Sequence, residues 1–447
     1  MKPSTYRMLF LLSAVLLMVG QLSLARQHAA VPPAQATPAQ TAAFAMAIGQ
    51  PLPVVPAYAV PNGVNRPHIW VDAFLGTPAI QSSPWSLCDK PYGSGFMFCP
   101  KSIQAAYGLS QIIGGNGGLG MTIAIVDAFH YDGAEADFGV FNTNAGLPDC
   151  TTANGCFKQV AQDGGPPRAI GDAGWEIETM LDIEYAHAMA PNAKILLVEG
   201  DDNSFANLFT AVQYAAGPGH ADIVSNSYGA SEGGQYPVGA SDEFYYDSLY
   251  APLGKPLLFS SGDNGAPTEY PCASPFATCV GGTTLTVNGS FQRTAETGWT
   301  GSGGGFSAHE PQPGYQATFP ALTGNTYRAT PDIAADANPK TGVLVYDSGN
   351  GGYYHVGGTS LACPLTAGLF ADIDTARKSF GKDKFTFLNN SLYRGATSNY
   401  PYFYFDVSSG NNGFPAGSGF DLVTGLGVSK AAAMANRFFG LIFQITP

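Results

Sequence analysis

The sequence is short of basic side chains: 20 Lys and Arg stand against 33 Asp and Glu, giving a net charge of −13 over 447 residues. That excludes nucleic acid as a partner, because binding phosphates requires a basic face. It also limits positive self-repulsion in acid, once the carboxylates lose their charge. Charge of either sign is sparse, at 12%, while 45% of residues are hydrophobic, which excludes an intrinsically disordered chain. Long apolar runs are absent beyond the extreme N-terminus. The closing Phe438-Phe439-Gly440-Leu441-Ile442-Phe443 is far shorter than the ~20 residues a membrane span needs, and it reads as a packed terminus. No stable membrane association is expected. Histidine is scarce too, with 7 in the chain and none at the spacing of a zinc site or in a His-Gly-Thr-His type segment. A catalytic serine in this chain has to find its base elsewhere.

Glycine (56) and proline (33) are plentiful, which suits a compact, loop-rich, exported protein. Lys2 and Arg7 precede an apolar run from Met8 to Val19, and Ser23-Leu24-Ala25 offers a small-x-small cleavage site. Residues 1–25 are therefore read as a signal peptide that sends the chain out of the cell or to the periplasm. Residues 26–97 read as a Pro/Ala-rich linker or reduced pro-segment, with Trp70, Phe74 and Trp85 given no role. The main domain is expected over 98–447, opening at Cys99-Pro100-Lys101, with ample length for a core. A monomer is expected. Cys88 with Cys99, Cys150 with Cys156 and Cys272 with Cys279 are close in sequence and read as disulfides, although spacing alone does not fix connectivity. Cys363 is left over and reads as a buried packing residue.

Short, nearly all-apolar runs alternate with helical patterns. The strand candidates are Met121–Asp127, Lys194–Val198, Asp222–Ser227 and Pro256–Ser261, with helices expected over 172–189, 204–216 and 240–250. That alternation implies a doubly wound α/β fold whose functional groups gather at the carboxyl ends of strands. Asp127, Ser227 and Asp263 fall at such ends.

Three segments carry chemistry. Gly357-Gly358-Thr359-Ser360-Leu361-Ala362-Cys363-Pro364 sets a serine after a sharp turn, at a helix start where free N–H groups favour developing negative charge. On the 172–189 helix, Ile177, Met180, Leu181, Tyr185 and Ala188 form an apolar face, and Glu178 and Asp182, four apart, stack on the face beside it. Ionising both costs a few tenths of a kcal/mol, so one of the two can hold or share a proton. Ser260-Ser261-Gly262-Asp263-Asn264-Gly265 follows an apolar strand; by itself it reads as an Asp-containing turn.

Taken in order, these segments resemble the sedolisin (serine-carboxyl peptidase) family, relatives of subtilisins in which carboxylates replace the histidine. Linking stretches are similar as well: Thr122–Asp127, Ala190–Ala193, Ser225–Gly229, Gly303–Ser307 and Pro331–Asp336. The resemblance runs from about Cys99 to about Arg437. It implies a subtilisin-like, mostly parallel sheet flanked by helices, and an acid-acting endopeptidase with protein or peptide substrates. Carried over residue by residue, it makes Ser360 the nucleophile, Glu178 its general base, Asp182 the partner that orients Glu178, and Asp263 the protonated acid of the oxyanion hole. Asp127, at the strand end where subtilisins keep their triad aspartate, reads either as an outer member of the network or as a structural turn residue. One structural Ca²⁺ is implied, held by the side chains of Asp406 and Asp421 and the backbone oxygens of Val407, Gly417 and Gly419, an all-oxygen set of the kind this ion takes. The pattern departs in one respect: many members carry a large N-terminal activation domain, and only about seventy residues separate the expected cleavage site from the expected domain here. Ser227-Tyr228-Gly229 and Gly303-Gly304-Gly305 are expected to pair with a peptide backbone. Two other readings compete: a histidine-dependent subtilisin-type hydrolase using His187 or His130, and an inactive secreted binding module on the same scaffold.

Overall fold

The computed structural model of the protein describes residues 65–435, apart from 77–83, 87, 113, 169 and 233–238. The expected signal peptide, most of the 26–97 stretch and the closing Phe438–Phe443 run lie outside the described residues.

Along the chain the strands are β1 (Arg66–Pro67), β2 (Trp70–Gly76), β3 (Lys90–Tyr92), β4 (Gly95–Met97), β5 (Thr122–Ala128), β6 (Phe157–Ala161), β7 (Lys194–Gly200), β8 (Ile223–Asn226), β9 (Tyr228–Ser231), β10 (Leu257–Ser260), β11 (Glu269–Tyr270), β12 (Thr278–Val287), β13 (Arg293–Gly298), β14 (Gly305–Pro311), β15 (Tyr327–Thr330), β16 (Ile333–Asp336), β17 (Val343–Asp347), β18 (Gly352–Gly357), β19 (Tyr404–Phe405) and β20 (Val428–Ser429). Four helices bear on the site: α1 (Ala173–Met189), α2 (Phe205–Ala216), α3 (Ala240–Tyr250) and α4 (Thr359–Ser379). The main sheet runs β19-β20-β16-β12-β10-β8-β5-β7-β6, with β13 added to β12. From β20 to β6 every pairing is parallel, and only β19 and β13 join antiparallel.

The four expected strands become β5, β7, β8 and β10 at the sheet's centre. Their near-continuous apolar character follows from burial on both faces. Ile123 and Ile125 of β5 point into a core shared with Ile177 and Leu181 of α1 and Leu361 and Leu365 of α4. The alternate residues, Ala124 and Val126, point the other way, into a core with Leu208 and Val212 of α2 and Tyr250 of α3. Asp172 caps α1, its side chain accepting from the N–H groups of Gly174 and Trp175. Ser204 caps α2 through the N–H of Asn207.

α1 and α4 lie unusually close. A methyl group on Gly368 of α4 would sit 2.5 Å from Met189 Cβ and 2.7 Å from Ala186 O of α1. About two turns earlier in each helix come Ser360 and Glu178. The close approach therefore brings serine and carboxylate into one layer beneath the carboxyl ends of the strands.

The packed domain starts upstream of the expected boundary at residue 98. β1 pairs antiparallel with β9, and β2 pairs antiparallel with β18. Ile69 and Val71 are buried in the main core. The disulfide Cys88–Cys99 straddles the expected boundary, and Cys150–Cys156 and Cys272–Cys279 close the other two loops. Cys363 is free and buried. His187 lies beside the sulfurs of Cys150 and Cys156, but these are joined to each other and offer a metal no thiolate.

Candidate active site

β18 delivers the chain to Gly357 and Gly358, and α4 begins one residue later, so Ser360 is the second residue of its helix. Gly358 has φ +101°, open to glycine and strained for other residues. A methyl group there would lie 2.1 Å from the backbone oxygen of His68 and 2.6 Å from Asp263 Oδ2. Ser360 is fully buried; its Oγ donates to Ser227 O at 3.3 Å and its N–H donates to His68 O at 3.1 Å. The helix does not stop at Pro364 but runs on to Ser379. Proline has no N–H, so the carbonyl four residues earlier, that of Ser360, loses its helical partner. Ser227 Oγ faces it at 3.4 Å and also contacts Asp182 Oδ1 at 2.9 Å. A hydroxyl has one proton. The shorter contact takes that proton: Ser227 donates to Asp182 and opposes the rise of its carboxyl.

α1 is buried all round at this level, and Glu178 and Asp182 are both 0% exposed rather than on a solvated face. Burial pushes the Glu178 carboxyl well up, the charges of Asp182, Asp127 and Asp263 push the same way, and the Ser360 hydroxyl beside it opposes them. Asp182 is raised by burial and then by Asp127. Asp127, at the end of β5 opposite Glu199 of β7, is pushed up to about 8, mainly by burial and then by Glu199. Neither oxygen of Glu178 or of Asp127 has a hydrogen-bond partner among the described residues. Three buried carboxyls at this spacing cannot all ionise, so the cluster holds protons in common.

Asp263 follows the end of β10. Its Oδ1 accepts from the Thr359 N–H at 2.7 Å and the Thr359 hydroxyl at 2.8 Å, while Oδ2 has no partner among the described residues. Burial raises its pKa to about 7, against the pull of His68 and Thr359. Below neutrality the proton sits on Oδ2, the oxygen not engaged by Thr359.

Strand β9 pairs with β11 on one side and, on the other, with the chain's own β1, with Arg66 opposite Gly229 and Pro67 opposite Tyr228. The glycine run at Gly303–Gly305 does not. A methyl group on Gly303 would lie 1.8 Å from Ser261 O, and one on Gly304 would lie 2.2 Å from Leu422 O, so these glycines pack beneath the Asp263 turn. Gly305 enters β14, which pairs with β15.

The two candidate histidine bases are engaged elsewhere. His187 is buried against Phe138, donates to Pro148 O, and is pushed down to about 4 by burial. His130 contacts Glu199 and Asp132. His68 comes near the site, but both its ring nitrogens are occupied, by Ser260 Oγ at 2.6 Å and Glu269 Oε2 at 2.9 Å.

Sequence reading missed His68, Ser260 and Glu269. The available signal was the pair of acids in the Asp263–Glu269 stretch, which composition cannot connect to a histidine some two hundred positions away. Near the C-terminus the structure brings Asp406 and Asp421 onto neighbouring loops. Asp406 accepts from the Gly419 N–H at 2.9 Å, the Ser418 hydroxyl at 2.9 Å and the Tyr400 hydroxyl at 3.0 Å. Asp421 accepts from the N–H groups of Gly417 at 3.0 Å and of Val423 and Thr424 at 2.8 Å.

A family model described as the subtilase family matches residues 171–412. Kumamolisin of Bacillus sp. (strain MN-32) is 32% identical over 365 residues, covering 74% of this chain and 61% of that protein. Sedolisin of Pseudomonas sp. (strain 101) is 28% identical over 337 residues, covering 66% and 56%. The chain thus spans about three-fifths of the length of these curated relatives. A solved structure, Pseudomonas sedolisin (serine-carboxyl proteinase) complexed with two molecules of pseudo-iodotyrostatin, matches with a TM-score of 0.67 at 26% identity, over 77% of this chain and 99% of that one. With the family model spanning more than half of the sequence and a sedolisin structure sharing the fold, the chain belongs to the subtilase family, in its sedolisin branch.

Proposed function

We propose that the chain is a serine-carboxyl endopeptidase, exported from the cell and active in acid on proteins or peptides, as a monomer. The observation that carries this reading is the buried carboxyl of Glu178, which has no close hydrogen-bond partner among the described residues and whose rise is opposed by the Ser360 hydroxyl. An unpartnered buried carboxyl is costly and calls for a role.

In this reading Ser360 Oγ attacks the peptide carbonyl while its proton passes to Glu178, the cluster having already given up one proton to solvent. Asp182 and Asp127 accommodate the remaining charge by sharing protons with Glu178. The Ser360 N–H and the protonated Oδ2 of Asp263 donate to the oxyanion. Glu178 returns the proton to the leaving amine, and water repeats the sequence to release the acyl group. A histidine base would be protonated and useless in acid, whereas a carboxylate can still accept. Treating the protein with a peptide aldehyde at about pH 4 and mapping the adduct tests the reading. A hemiacetal on Ser360 supports it, and absence of any adduct favours the inactive module.

The loops of Asp406 and Asp421 fit one structural Ca²⁺. Their donors are all oxygen: the carboxylates of Asp406 and Asp421, which both bear on Tyr400, the carbonyl of Gly419, which accepts from the same Tyr400 hydroxyl at 3.1 Å, and the carbonyls of Val407 and Gly417 on the same two loops. Bound there, the ion would tie the loop after β19 to the turn before β20 and supply no chemistry to the reaction.

A further inference from the structure

If Glu178 and Asp182 share a proton, it matters which oxygen of Asp182 carries it. A carboxyl group has two equivalent oxygens, and only a neighbour makes them differ. For Asp182 that neighbour is Ser227.

Ser227 lies one residue past β8, which runs between β5 and β10 at the centre of the sheet. The alternation of a strand turns Ser225 and Ser227 to one side, towards the two helices that meet there. The Ser225 hydroxyl reaches Cys363 Sγ of α4 at 3.3 Å, and the Ser227 hydroxyl reaches Asp182 Oδ1 of α1 at 2.9 Å. Ser227 and Asp182 are both 0% exposed, and a hydrogen bond is stronger in such surroundings than in water. Asp182 Oδ2 has no partner among the described residues.

The same residue reaches the nucleophile. Ser227 O accepts from Ser360 Oγ at 3.3 Å, and the Ser360 carbonyl, whose helical donor Pro364 removes, stands 3.4 Å from the Ser227 hydroxyl. Ser227 therefore sits at the crossing of α1 and α4, with its side chain on the acid and its backbone on the serine. Several titratable groups face Asp182. Glu178 is on its own helix and Asp127 at the end of β5. The Cys363 thiol of α4 is pushed up to about 12, mainly by burial, and burial also raises the Tyr228 phenol well above its usual range, so both stay neutral in acid. Burial and Asp127 raise the Asp182 carboxyl, and Ser227 is what opposes them.

We propose that Ser227 is a positioning residue for the reaction: its hydroxyl occupies Asp182 Oδ1, so that the proton Asp182 shares with Glu178 is carried on Oδ2. This rests on the serine-carboxyl peptidase reading. As Glu178 takes the proton of Ser360, Asp182 keeps its own on Oδ2, and Ser227 keeps its own throughout. The hydroxyl acts by holding one oxygen and not by passing a proton. Because it donates to the acid, it also favours the ionised state of the pair and so extends activity to lower pH.

The test is the pH profile of kcat/KM for Ser227→Ala beside the unaltered protein, on an unfolded protein substrate between about pH 2 and pH 7, with folding checked by circular dichroism. Three results are expected together. The acid limb should move up by about half a pH unit or more, since a donor to the ionised pair is lost. The kcat should fall by about tenfold or more, and KM should stay within about twofold, because the backbone of residue 227 is unchanged. Ser227→Cys, nearly the same size but a weak donor, should shift the limb in the same direction and serves where the alanine variant fails to fold. An unmoved acid limb overturns this inference whether kcat falls or not, since loss of packing alone lowers kcat without moving the limb, and it leaves the peptidase reading standing. No hydrolysis by the unaltered protein overturns both.

Discussion

The backbone N–H of Ser360 donates to the carbonyl of His68 at 3.1 Å, so a peptide group of the chain itself lies where a substrate carbonyl would be polarised. That contact ties the serine turn, the Asp263 turn and an N-terminal strand into one arrangement centred on Gly358. Replacing Gly358 with Ala puts a methyl group into both His68 O and Asp263 Oδ2 on a backbone of positive φ. The variant should lose about 1–3 kcal/mol of stability, as read by thermal unfolding.

Asp263 should set the alkaline limit of activity. Its folded pKa of about 7 means that the donor proton is present below neutrality and lost above it. Asp263→Ala should lower kcat by about 10²–10³. Asp263→Asn keeps a donor without a titrating proton, so its kcat/KM should fall less steeply between about pH 6 and pH 8 than that of the unaltered protein. Parallel pH profiles for the two would refute the role.

Stability should be highest in acid. Burial raises Glu296 and Asp374 to about 7 and Glu310 to about 8. Their unfolded values lie near 4. Groups raised in this way contribute stability that is full below the unfolded pKa and lost as pH rises through the folded one. Glu269, held at about 2, acts oppositely, contributing above about 4 and losing its contribution as pH falls towards 2. The melting temperature should therefore peak near pH 4–5 and fall steadily to pH 8. A flat or rising profile over that range would contradict the burial of these acids.

Much of this was legible in the sequence, for physical reasons. β5, β7, β8 and β10 are apolar along nearly their whole length because helices cover both sheet faces, and such runs stand out without an alignment. Glu178 and Asp182 stand out less, because the same helix carries Glu176 and Glu184 and like charges one turn apart cost only a few tenths of a kcal/mol. The pair gains its meaning from the order of the three segments. β1 did not stand out. A two-residue strand containing proline has no propensity signature, and only the edge of β9 and the Ser360 turn give it a conformation. Gly303 to Gly305 misled for a related reason: a glycine run permits close approach but does not say to what, and here the neighbour is the backbone beneath Asp263.

Calcium binding should be visible as thermal stabilisation. EDTA should lower the melting temperature of the unaltered protein by several degrees, and Asp421→Ala should remove most of that response. Magnesium should restore less than calcium does. Insensitivity to EDTA in the unaltered protein would remove the ion from the account.

The central claim is that a carboxylate, not a histidine, activates Ser360. The most direct measurement is kcat/KM for Glu178→Gln against the unaltered protein, on an unfolded protein substrate at about pH 4, with folding checked by circular dichroism. Glutamine keeps the shape of the side chain and cannot take the serine proton. The account predicts a loss of about 10³-fold or more, chiefly in kcat. Activity within a few-fold of the unaltered protein would contradict it and return the search for the base to the histidines.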